Sequence, residues 1–135
     1  MDAQQQATWA LIRTCVGREI EQIQRVFFDW NGEVDETDGQ VIFVFRDSSV
    51  LRFIDAAGGD RIEVSETTWM SPNIQPGSPG SWKLVDVSAT SPFAGLIGVK
   101  ILAVKPLLSR FGALTGVHVV VGGSGMFIVA QGDEC

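Results

Sequence analysis

The chain has 135 residues, 45% of them apolar and 19% charged, which suits one globular domain with a sizeable core and a surface poorer in charge than usual. Its net charge of −6 is uneven: residues 1–70 hold thirteen acids against six bases, and residues 71–135 hold three against four. An acidic first half repels phosphates and attracts basic proteins, which argues against a nucleic acid partner. No apolar run approaches the roughly 18 residues that would argue for a membrane-spanning helix.

In chain order, residues 2–16 are predicted to form a short helix. Asp2 can cap it with Gln5 three residues on, Trp9, Ile12 and Val16 share one face, and Gly17 suits the stop. Residues 18–28 are ambiguous, because Ile20, Ile23 and Phe27 fit helical spacing. A second copy of the same pattern decides for a strand. Gly17-Arg-Glu-Ile, Gly39-Gln-Val-Ile-Phe-Val-Phe and Arg46-Asp-Ser-Ser-Val-Leu are echoed in order by Gly98-Val-Lys-Ile, Gly116-Val-His-Val-Val-Val and Gly122-Gly-Ser-Gly-Met-Phe. The counterpart of 18–28 contains Pro106, which would break a helix interior.

Residues 29–38 hold five acids and no base and are expected to be a loop. Runs 40–46 and 50–55 read as a hairpin around Asp47-Ser48-Ser49, and Gly122 to Gly125 should make the matching turn in the second copy. Residues 61–70 are read as a further strand, 71–81 as a Pro/Gly/Ser seam, and 82–88 alternate as a half-exposed strand. The expected fold is mainly β. Two tandem β-meander repeats, about 17–60 and 98–134, form an antiparallel sandwich or partly open barrel with the N-terminal helix packed on the sheet.

Chemistry-bearing motifs are sparse. Asp29, Glu33, Asp35, Glu36 and Asp38 offer hard oxygen ligands, but their spacing fails the EF-hand pattern, so a metal site is not expected. The loop is read instead as a charged partner site with Trp30 as its anchor. Trp69 and Trp82 bracket the 71–81 seam and are further partner-binding positions, although buried core tryptophan is the commoner role. His118 is the only histidine and more often such a residue sits on a strand face than acts as base or ligand. Gly122-Gly123-Ser124-Gly125 lacks the Lys-Ser/Thr and following helix of a phosphate loop. No cofactor motif is present. Two cysteines, Cys15 and Cys135, make neither a metal spacing nor a disulfide scaffold, and with no basic, apolar leader visible a cytoplasmic setting is expected.

Trp82-Lys-Leu-Val-Asp-Val-Ser88, with Ser91-Pro-Phe-Ala-Gly-Leu-Ile-Gly98 and the Ile101/Val104 pair, resembles a group of small bacterial proteins of unknown function. Such acidic, β-rich proteins are similar in style to immunity proteins that neutralise toxins. The resemblance implies a non-catalytic binding protein whose acidic face meets a basic protein surface. Two alternatives stand beside it: a small-molecule-binding or enzymatic β-domain with a pocket between the repeats, and a structural homodimer subunit that pairs strand edges.

Overall fold

The computed structural model describes residues 2–30, 32–35, 40–55, 61–67, 80–90, 93–122 and 124–129. Helix α1 spans Ala3–Arg13, and the Asp2 carboxylate caps it by accepting from the Gln5 N–H at 2.8 Å. Its inward stripe is Gln5, Thr8 and Ile12, with Trp9 half-buried beside them. Gln5 is buried but satisfied, since its side-chain oxygen accepts from the Leu114 N–H at 3.4 Å. Val16 does not join this face as expected. The helix ends at Arg13, residues 14–17 turn, and Cys15 enters the core while Val16 is 44% exposed.

Nine strands follow among the described residues. The first sheet contains β1 (Ile20–Trp30), β2 (Glu33–Asp35), β3 (Val41–Phe45), β4 (Val50–Asp55), β5 (Ile62–Ser65) and β6 (Gly80–Asp86). Its order is β2-β1-β3-β4-β5, and β6 also pairs with β1. The second sheet is β7 (Ile101–Leu108), β8 (Leu114–Val121) and β9 (Ser124–Val129), in that order. All pairings are antiparallel, and neither sheet closes. The strand reading of 18–28 holds. The β3–β4 hairpin also holds, with Ser48 at φ 71° in its turn.

Three expectations are corrected. Residues 29–30 and 33–35 are not loop: Asp29 and Trp30 end β1, and Glu33–Asp35 return as β2. Trp30 pairs with Glu33, and Gly32 between them takes a positive φ of 85°, which glycine adopts at no steric cost. The second hairpin turn is shorter than four residues, because Val121 pairs with Ser124 and Gly125 lies in β9. Glycine is required at 125, where a Cβ would stand 2.6 Å from the Val119 carbonyl oxygen. Finally, β6 does not alternate in burial. Leu84 and Val85 are 43% and 36% exposed, because this part of β6 lies beyond the packed core.

The two sheets meet at a short antiparallel bridge between Glu19 and Lys100. Here Gly17 N–H donates to the Ile101 carbonyl and Gly98 N–H to the Ile20 carbonyl, each at 2.7 Å. Ile20 N–H donates to Val99 at 3.1 Å and Ile101 N–H to Arg18 at 3.0 Å. One step further, β1 is bulged between Ile20 and Gln22, and β7 between Ile101 and Ala103. The core lies between the sheets. Ile23, Phe43, Phe45, Leu51 and Phe53 face Val117, Val119, Val121 and Ile128, with Ile12, Phe93 and Leu96 closing the rim.

Candidate functional site

β1 is longer than its neighbours, and the surplus builds a separate structure. β3 pairs only as far as Arg25, whereas β6 continues along residues 24–30 and β2 along 28–30. Residues 26–30 are therefore the centre of a three-stranded arm, β2-β1-β6. Its register sets Asp35, Phe28 and Trp82 in one row, and Glu33, Trp30 and Gly80 in another. Strand residues two apart share a face, so Trp30, Glu33, Asp35 and Trp82 occupy positions on one side of the arm. The next row toward the body on that side is Val26 and the exposed Leu84.

Asp29 belongs to the other side. Its carboxylate pairs with the Lys83 ammonium at 2.7 Å and accepts from the Gly32 N–H at 2.9 Å. The Lys83 hydrogen bond, reinforced by Gly32, holds the Asp29 carboxyl below its usual range. Arg25 lies nearby over the Phe27 ring at 5.2 Å. Acid and base are thus sorted: one side pairs Asp29 with Lys83, and the other holds the positions of Glu33 and Asp35. Glu36, Asp38 and Trp69 lie outside the described residues.

A concave feature lies elsewhere, at residues the sequence reading did not single out as a site. Gly17, Arg18, Glu19, Phe45, Arg46 and Asp47 line an open groove of about 350 Å³ beside the bridge between the sheets. Arg18 stacks 5.6 Å from the Phe45 ring centre and donates to the Ser49 hydroxyl at 3.0 Å. Arg46 pairs with Glu19 at 2.9 Å. The Asp47 carboxylate accepts from both the hydroxyl and the N–H of Ser49, which lowers its pKa and fixes the turn. Two cations and two anions therefore cancel within the groove. The sequence signal was the charged pairs Arg18-Glu19 and Arg46-Asp47 flanking turns, but their meeting depends on the β1–β3 register. All six lining residues come from the first half, so this groove does not lie between the proposed repeats.

Cys15 is a free thiol whose pKa burial pushes up to about 11, so it is protonated at neutral pH and a poor nucleophile. His118 stacks on Phe127, with ring centres 4.2 Å apart and planes at 12°. Among the described residues no three His, Cys, Asp or Glu side chains gather into a metal-binding group. Nor is any helix among them long and apolar enough to cross a membrane. No family model, curated protein or solved structure matches the chain.

Proposed function

We propose that this chain is a non-catalytic protein-binding domain of the immunity type, acting in the cytoplasm, and that the β2-β1-β6 arm meets a basic surface on a toxin. The observation that carries this reading is the register that brings the Trp30, Trp82, Glu33 and Asp35 positions to one side of the arm while Asp29 pairs with Lys83 on the other. Carboxylates speed encounter with a basic partner, and tryptophans slow release. The arm is displayed on a scaffold that we take to be internally duplicated. Reciprocal hydrogen bonds of Gly17 with Ile101 and Gly98 with Ile20, and matching bulges, support that equivalence. The Arg18/Arg46 groove favours a second reading, a small zwitterionic ligand, because its charges are balanced.

The test is affinity capture from the native host, followed by surface plasmon resonance at two salt concentrations. Replacing Glu33 and Asp35 with Ser should slow association and flatten its salt dependence. Trp30→Ala should speed dissociation, by about 2 kcal/mol if it anchors the contact. Unchanged kinetics in both variants would remove the arm from the interface.

A further inference from the structure

Sheet edges are where chains recognise one another, and proteins normally blunt them with charge, proline or cover. The edges here follow that rule with one exception. β2 carries Glu33 and Asp35, β5 carries Glu63 beside α1, β6 carries Lys83 and Asp86, and β7 carries Lys105 and Pro106. Proline removes a donor from the edge it occupies. β9 reads Ser-Gly-Met-Phe-Ile-Val, with no charge and no proline, and among the described residues it pairs only with β8. Its counterpart in the first sheet, β4, is flanked by β5. At the middle of β9, Phe127 is 63% exposed and stacked on His118.

We infer that β9 is a self-association edge, and that its occupant is β9 of a second copy, antiparallel about a two-fold axis near Phe127. Charge selects this occupant. In a two-fold antiparallel contact the residue on the axis faces its own copy and the others pair reciprocally about it, so a charge at the axis would repel its mate. Residues 114–129 contain no Asp, Glu, Lys or Arg. Two copies that each carry −6 repel over the acidic half but can meet here without penalty. A basic or acidic foreign segment would find no charge to read. Pairing the two edges joins the three-stranded sheets into one six-stranded sheet and covers Phe127 with its symmetry mate.

Sedimentation equilibrium of the full chain from low micromolar to near-millimolar concentration should show mass rising from one chain toward two. Phe127→Glu and Phe127→Lys should each weaken association at least about tenfold through like-charge repulsion. Mixing the two variants should restore it, because Glu then faces Lys. Phe111→Glu, at a residue 84% exposed outside the hairpin, should change nothing. Hydrogen exchange of unsubstituted protein should show β9 amides gaining protection with concentration. A single-chain mass throughout, a dimer indifferent to both Phe127 changes, or a mixture that stays monomeric would each overturn the inference.

Discussion

The central strands of the two sheets, β3 and β8, solve one packing problem with different residues. Each sends alternate side chains into the core: Phe43 and Phe45 from β3, and Val117, Val119 and Val121 from β8, all at 1% exposure or less. On β3 the filling is aromatic. Phe43 meets Phe45 edge-to-face at 6.2 Å and Phe53 at 5.3 Å. On β8 it is short and β-branched. Period-two alternation fixes which residues point inward, while residue volume fixes how much each anchors. The surroundings differ in the same sense. Among the described residues the first sheet holds six strands and the second three. The result is a broad, heavily packed sheet with a projecting arm beside a small sheet whose last strand, among the described residues, pairs on one side only.

The strongest way to break this contrast is to truncate matched positions. Phe43→Ala should cost about 3–5 kcal/mol, the range for a fully buried aromatic whose cavity cannot collapse. Val119→Ala removes two methyl equivalents and should cost about 2 kcal/mol. Urea unfolding of both variants measures the difference. Equal losses would mean that the valine sheet is as central to stability as the aromatic one.

Much of this architecture was legible in local chemistry. Asp2 announces α1, Asp47-Ser48-Ser49 announces the β3–β4 turn, and Pro106 forces the strand reading that carries over to residues 18–28. The acidic segment was misread because its charge outweighed Asn31-Gly32, a hairpin dipeptide flanked by strand residues. The candidate face was less accessible still. Trp82 is set opposite Phe28 only because β6 pairs with β1, with Gly80 and Ser81 already in that strand and not in the expected 71–81 loop, and the same pairing brings Lys83 to Asp29. Sequence gives the acids but not their sorting between the two sides of a strand, since a one-residue change of register would exchange them.

A second, smaller effect sharpens the proposed equivalence of the two junction segments. Gly17 and Gly98 have φ of +88° and +78°, and a Cβ on either would meet nothing within 4 Å. Replacement by Ala therefore costs only backbone strain, about 1 kcal/mol at each site. Thermal unfolding of the two variants should give matching losses. A loss confined to one glycine would show that the segments bear different loads and would count against duplication.

The smallest expected effect separates the sheets by acid sensitivity. Asp29, Asp47 and Asp86 all have lowered pKa values, through Lys83, Ser49 and Ser88 respectively, and all belong to the first sheet or its turns. The β8–β9 hairpin contains no acid. A carboxyl whose folded pKa is depressed favours the fold when ionised. Its contribution is present above the unfolded value, 3.8 for Asp29, and is lost as pH falls through the lower folded value. Asp29→Asn should therefore flatten part of the acid limb of stability and leave neutral-pH stability little changed, because the Lys83 pair is a partly exposed one. Asp47 and Asp86 keep the remainder of that limb. Hydrogen exchange between neutral pH and pH 3 resolves where the loss falls. Amides of residues 26–30 should lose relative protection before those of β8, and Asp29→Asn should shrink that gap. If β8 amides weaken first, the acid response does not originate in the arm, and the Asp29–Lys83 pair is only a surface contact.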